Sequence, residues 1–342
     1  MINLFNKVRN KISILGRQYY YSFFPDVQFL KEMEKLKTLN IETINICNAN
    51  CIFCGYQYME RKKQPINDDT FKKAISDFVM IGGGGLSLTV VAGDPLLDPK
   101  FVERVLYARS FPCIKRIITV TNCINLHKVG AKTLLKSGLD EISISMTCFD
   151  AQMYRRIFRS NRYEQMKQNV LDLLRTNNEL GRPVRISVGL RLDKPTEEVF
   201  NHPGFNEIIE LADSVDANYY YDNWCGRIKS EDLSGNMKIR PRIFHFMKKR
   251  NPCSMMYSTV GVLVDGTVTV CPCRDLNGDS DLVIGNINRS SLHDIYYSKQ
   301  PEKLRNDWLE GKYIPNICRD CTHYNPYTYM MLSEIRRQLA WD

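Results

Sequence analysis

No apolar stretch in this sequence approaches the roughly 18 residues that a transmembrane helix requires. The first residues also lack the apolar run of about 7 to 15 residues that marks a signal peptide, so a cytoplasmic protein is expected. There is no internal repeat of fixed period and no low-complexity tract. Hydrophobic residues make up 44% and charged residues 25%, a balance that argues against disorder, collagen and coiled coil. Cysteine is too sparse for a disulfide scaffold, with 12 in 342 residues, and a reducing compartment would not favour such a scaffold. Acids are the minority charge, 38 Asp and Glu against 47 Lys and Arg, a net of +9. That excess favours acidic partners: a phosphorylated small molecule, an anionic membrane face or an acidic redox protein. No nucleic-acid partner is expected. At about 150 residues per domain the length fits roughly two domains with a full core.

What is present divides the chain. Residues 1–39 form a basic extension: Lys7, Arg9, Lys11 and Arg17 stand among the first twenty residues with no acid, and Leu4, Val8, Ile12, Leu15 and Tyr19 recur at spacings of three and four. An amphipathic helix is expected there, packed on the main domain or docked on a membrane surface or partner. Residues 40–230 alternate. Short apolar runs at 41–46, 86–91, 116–120, 141–146, 184–190 and 218–221 are separated by helical patterns at 69–80, 99–109, 126–136, 163–177 and 196–214. Six strands alternating with helices imply an α/β fold with a parallel sheet and right-handed crossovers, a complete or partial βα barrel whose active residues sit at the C-terminal strand ends. A linker is expected over 231–250. In residues 251–342 a hairpin is expected from 260–264 and 267–270 around Asp265-Gly266, followed by a helix over 291–306.

The cysteines cluster. Cys47, Cys51 and Cys54 form one group; Cys253, Cys271 and Cys273 a second; Cys318 and Cys321 a third; Cys113, Cys123, Cys148 and Cys225 are scattered. Clustered cysteines in a cytosolic chain read first as metal or cluster ligands. Cys47-Asn-Ala-Asn-Cys51-Ile-Phe-Cys54 is C-x3-C-x2-C directly after the first expected strand. Three thiolates in one loop can hold three irons of a 4Fe-4S cube and leave the fourth open to substrate. A zinc site would want a fourth ligand nearby, and no His or Cys follows within easy reach.

On this motif the chain resembles the radical S-adenosylmethionine superfamily. The resemblance implies a partial (βα)6 barrel, S-adenosyl-L-methionine bound to the open iron, and reductive cleavage to a 5′-deoxyadenosyl radical that abstracts hydrogen from substrate. It also implies a low-potential reductant such as flavodoxin or ferredoxin. Ala92-Gly93-Asp94-Pro95 looks like the family's glycine-rich acidic motif facing the methionyl ammonium, with Asp94 where Glu is commoner. Thr121-Asn122-Cys123 resembles the usual Thr-Asn-Gly, with Cys123 a departure. Ser145 and Arg191 end the fourth and fifth strands, where related enzymes place ribose and carboxylate contacts, and Phe53 stands where the family has an aromatic residue near the adenine. Taken singly, each has a plain structural reading: Ser145 as a backbone partner, Arg191 as a strand-end ion pair, Phe53 as core, Gly93 and Pro95 as turn residues.

The C-terminal part resembles the auxiliary-cluster region of SPASM and twitch enzymes, on Cys253, Gly266, Cys271, Gly285-Asn286-Ile287, Ser291-Leu292 and Cys318-x2-Cys321. The resemblance implies a small domain of β-hairpin plus helix and one auxiliary 4Fe-4S cluster on Cys253, Cys271, Cys318 and Cys321. Cys273 is the spare, although the order Cys271-Pro-Cys273 permits a swap. A zinc ribbon is the alternative, since four thiolates in two pairs also suit tetrahedral zinc. Four protein ligands make a cluster better at moving electrons than at binding substrate.

The expected activity is therefore oxidation or epimerisation of a small polar substrate such as a sugar, aminocyclitol or nucleotide-linked sugar. Tyr219, Tyr220, Tyr221, Asp222, Trp224 and Arg227 are offered as its surroundings, with strand packing as the plain alternative. Cys225, expected at the barrel mouth, is a candidate hydrogen-atom donor or else a buried small hydrophobe. The competing readings are a peptide-modifying maturase, for which 39 N-terminal residues seem few, and a non-enzymatic iron-sulfur carrier, which would have no use for the strand-end set.

Overall fold

The computed structural model describes residues 34–89, 91–147, 150–202, 205–240, 252–272 and 274–326. The expected N-terminal helix, the second half of the 231–250 linker, Cys148 and Cys273 lie outside the described residues.

Six parallel strands run in sequence order: β1 (Thr38–Ile41), β2 (Gly84–Ser87), β3 (Ile114–Thr121), β4 (Glu141–Met146), β5 (Arg185–Arg191) and β6 (Ser214–Asn218). Helices between them supply the crossovers, among them Asp68–Met80, Phe101–Arg109 and Tyr163–Glu179. The pattern of β4, with Ile142, Ile144 and Met146 at 1% exposure or less, shows how alternate side chains enter the core while Ser143 and Ser145 take the other face. A short parallel pair, β7 (Tyr220–Tyr221) and β8 (Lys238–Ile239), follows the sixth strand.

The C-terminal hairpin, β9 (Thr259–Val262) and β10 (Thr267–Thr269), turns at Gly266 (φ 85°) as the Asp-Gly dipeptide predicts. It is not a separate sheet. β9 pairs in parallel with β1, Thr38 opposite Thr259 and Ile41 opposite Val262, and β11 (Val283–Asn286) extends the hairpin. The result is one nine-stranded sheet in the order β11-β10-β9-β1-β2-β3-β4-β5-β6. One hydrophobic core includes Leu39 and Ile41 of β1 together with Val260, Val262 and Val268 of the hairpin.

Three expected strands are displaced. β1 stops at Ile41 because Glu42 is buried and needs donors: Arg61 Nη1 and Nη2 reach its two carboxylate oxygens at 2.7 and 2.8 Å, and the Val264 N–H donates at 3.2 Å. β2 lies at 84–87 instead of 86–91. β6 ends at Asn218, whose Oδ1 accepts from the Tyr220 N–H at 3.1 Å and turns the chain out of the ladder. The expected helix at 126–136 breaks at Gly130 (φ 84°), and that at 291–306 is two, Leu292–Tyr296 and Lys299–Leu309, the second with Pro301 in its first turn.

Candidate active site

Residues 47–54 form a loop at the C-terminal side of β1. Its backbone is pinned to the end of the helix Ala151–Phe158: Asn50 N–H donates to Phe158 O (3.1 Å) and Ile52 N–H to Ile157 O (2.9 Å). Cys54 then caps the short helical turn Gly55–Tyr58, its sulfur accepting from the Tyr56 N–H. Burial raises all three thiols above their ordinary range; Cys47 is pushed up to about 12, with the Asp94 charge adding to burial. Thiols so placed surrender their protons only to a compensating positive charge, and iron supplies one. The donor set therefore suits a thiolate-bound metal cluster. Among the described residues no three His, Cys, Asp or Glu side chains converge tightly enough to hold a single metal ion.

The strand-end residues gather around this loop. Gly93 (φ 99°) runs so close that a Cβ there would stand 2.2 Å from the Ile44 carbonyl oxygen. Only glycine permits that approach. Asp94 is 3% exposed, and its carboxylate is met by Leu96 N–H (3.1 Å), Thr121 Oγ1 (3.0 Å) and Asn122 N–H (2.7 Å), so it braces the turn that Pro95 begins. Burial outweighs these donors and raises its carboxyl to about 6. Asn122 Nδ2 donates to Asn48 Oδ1 at 2.8 Å, inside the cysteine loop, and Asn48 in turn donates to Asn125 Oδ1. Cys123 has φ 59°, which explains why the residue looked out of place where glycine is usual.

Ser145, Arg191 and Phe53 come together as a second set. Arg191 Nε donates to Ser145 Oγ at 3.2 Å, and its guanidinium lies 5.5 Å from the centre of the Phe53 ring. Phe53 also packs against Tyr221 at 5.1 Å. A cavity of about 430 Å³ borders the loop, lined by Cys47, Asn48, Tyr56, Gln57, Lys63 and Arg159 among others; Ser145 and Arg191 do not line it.

The C-terminal cysteines surround a second, apolar cavity. Cys253, Cys271, Cys318 and Cys321 line it with Met255, Met256, Leu282 and Trp308, a donor set that again suits a thiolate-bound cluster. Cys225 lines the same cavity. The structure thus places Cys225 with the C-terminal cysteines, apart from Ser145 and Arg191.

Residues 41–192 match the radical SAM superfamily, and residues 253–322 match SPASM, an iron-sulfur cluster-binding domain. The chain belongs to the radical SAM superfamily. Its cofactors are accordingly S-adenosylmethionine and a 4Fe-4S cluster, with auxiliary iron-sulfur binding in the SPASM domain. GTP 3′,8-cyclase of Chlorobaculum tepidum is 27% identical over 138 residues, 40% of this chain and 41% of that protein. The GTP 3′,8-cyclase of Trichodesmium erythraeum is 29% identical over 186 residues, 53% of each. The chain thus spans about half the length of these curated relatives, or less. Streptococcus suis SuiB bound to precursor peptide SuiA shares the fold at a TM-score of 0.60, with 15% identity over 89% of this chain and 75% of SuiB. BtrN in complex with AdoMet and 2-DOIA gives a TM-score of 0.53, with 16% identity over 84% of this chain and 93% of BtrN.

In this radical SAM chain the residues that sequence reasoning missed are those joining the end of the first cysteine loop to the second cavity. Trp224 was noticed only as a substrate neighbour. Its indole Nε1–H donates to Phe53 O at 3.0 Å, and its ring lies so flat on Gly55 that a Cβ there would stand 2.5 Å from it. Arg274 stacks on the same ring at 4.5 Å, pairs with Asp222 and lines the second cavity. Of the expected substrate set, Tyr221, Asp222 and Trp224 are thus engaged internally, while Tyr220 is exposed and Arg227 lines a separate cavity of about 410 Å³. No sequence signal marks Arg274. For Cys225 the surplus of cysteines over cluster ligands was the available hint.

Proposed function

We propose that this chain is a radical SAM oxidoreductase that dehydrogenates a small polar substrate, a sugar, aminocyclitol or nucleotide-linked sugar. In this reading Cys47, Cys51 and Cys54 hold the 4Fe-4S cluster, and Cys253, Cys271, Cys318 and Cys321 hold one auxiliary 4Fe-4S cluster. Bound there, S-adenosylmethionine and its cluster supply radical hydrogen-atom abstraction. Ser145 and Arg191 orient the ribose and carboxylate, Phe53 lies beside the adenine, and the backbone of Gly93 to Pro95 receives the methionyl ammonium while Asp94 braces it. Asn122 holds the cysteine loop in register through Asn48. Lys63 and Arg159 line the cavity that reaches Cys47, and their charge suits an acidic low-potential reductant such as flavodoxin or ferredoxin.

The observation that carries oxidation over epimerisation is the Trp224 bridge. One residue touches the first cysteine loop through Phe53 and reaches Arg274, which lines the second cavity, an arrangement that supports an electron acceptor in that cavity working with the barrel. Cys225, the thiol offered for returning a hydrogen atom, lines that cavity instead. A cluster held by Cys253, Cys271, Cys318 and Cys321 would accept one electron from the substrate, which would also lose a proton to solvent, so that with the abstracted hydrogen atom the product would be two hydrogens lighter. Turnover in deuterated water with reductant and a panel of candidate substrates tests this by mass spectrometry. The expected product is two mass units lighter and free of solvent deuterium on carbon. Deuterium on a carbon of inverted configuration would overturn the dehydrogenase reading in favour of epimerisation.

A further inference from the structure

Among the described residues the second cavity is lined by one cysteine more than a cube requires. A 4Fe-4S cluster takes four thiolates, and on the reading above Cys253, Cys271, Cys318 and Cys321 supply them. Cys225 lines the same cavity beside Cys321. Its position is held by the structure around it. Trp224, Cys225 and Gly226 take successive left-handed conformations, φ 47°, 58° and 89°. Non-glycine residues persist in that region only where their surroundings over-determine it.

Those surroundings centre on Asn223, which is 5% exposed. Its Oδ1 accepts from the Cys225 N–H and from the Thr322 N–H, both at 3.1 Å; its Nδ2 donates to Asp320 O at 2.7 Å, and its own N–H donates to Thr322 Oγ1 at 2.9 Å. The same asparagine therefore seats Cys225 and the segment on both sides of Cys321. The backbone that carries Cys225 and the backbone on either side of Cys321 are thus held to one another.

We propose that Cys225 is a positioning residue of the auxiliary centre, which stays off the iron and donates its S–H to the Cys321 sulfur. The proposal rests on the four-cysteine assignment given above. Donation to a ligand sulfur withdraws charge from the cluster, stabilises its reduced form and raises its potential, which favours acceptance of an electron from the substrate radical.

The test is an EPR-monitored redox titration of the anaerobically reconstituted holoenzyme, with S-adenosylmethionine added to separate the two cluster signals. Cys225→Ala is expected to keep the wild-type iron and sulfide content and to shift the auxiliary potential to more negative values. Cys225→Ser, which retains a donor, should return it toward wild type. An unmoved potential in Cys225→Ala overturns the proposal, and so does loss of auxiliary iron, which would make Cys225 a ligand. Cys318→Ala separates this from the assignment beneath it. Iron loss there supports the four-cysteine site, whereas full retention overturns that site and the role of Cys225 with it.

Discussion

Asp94 shows how a side chain can be found by sequence and still act differently from its expectation. The motif was expected directly after the second strand; β2 ends at Ser87, and the Asp94 carboxylate is turned to Leu96, Thr121 and Asn122. Burial lifts its carboxyl from an ordinary 3.8 to about 6. Between those values the folded chain holds a proton that the unfolded chain has released, so the contribution of Asp94 to stability is greatest below about pH 4 and is lost as pH rises to about 6. The full effect is on the order of 3 kcal/mol. Urea unfolding of the cluster-free protein should show that decline, and Asp94→Asn, neutral throughout, should flatten it. An unchanged slope in the variant would assign the decline to other groups. Gly93 was legible for a simpler reason, since a positive φ leaves its mark on residue choice, whereas Cys123 stood out only as a departure from the resembling motif. Arg274 was not legible, because its partners Asp222 and Trp224 lie about fifty residues away and no local period connects them.

Among the elements, the alternation of apolar runs and helical patterns located β3, β4, β5 and the hairpin and overlapped β2, whereas the expected first and sixth strands share only Ile41 and Asn218 with β1 and β6. Their ends were less legible. Ile44 and Ile46 continue the apolar run of β1, yet the buried Glu42 ends the strand by requiring Arg61. The link between the 222–227 turn and the 320–322 segment was invisible in sequence, being built from one asparagine and one threonine nearly a hundred positions apart. Asn223→Ala leaves the Thr322 N–H and the Asp320 carbonyl without these partners, at a cost of about 2 to 4 kcal/mol. Reconstituted Asn223→Ala should lose auxiliary iron on gel filtration while keeping the iron bound by the first cysteine loop. Equal retention at both sites would show that the turn does not support the second cavity.

At the scale of the molecule, Glu42 and Arg61 fasten the C-terminal hairpin to the barrel. Arg61 Nε donates to Leu276 O at 2.8 Å, while Glu42 accepts the Val264 N–H, so the pair joins the end of β1 to the hairpin turn and to the segment between β10 and β11. The Glu42 side chain is fully buried and that of Arg61 only 9% exposed. Glu42→Ala leaves the cation buried without its partner and should cost about 3 to 5 kcal/mol, read as a lower urea midpoint. A loss below about 1 kcal/mol would place the pair with ordinary surface bridges. The pairing of β1 with β9 has a further consequence during synthesis. β1 is made early, but its second neighbour is the strand Thr259–Val262, more than two hundred residues later. Until the ribosome has delivered that strand, one flank of β1 offers bare amides and carbonyls to any passing chain. A nascent chain stopped before residue 259 therefore carries the cysteine loop on an open sheet edge, and aggregation competes with metallation until the hairpin arrives to close it.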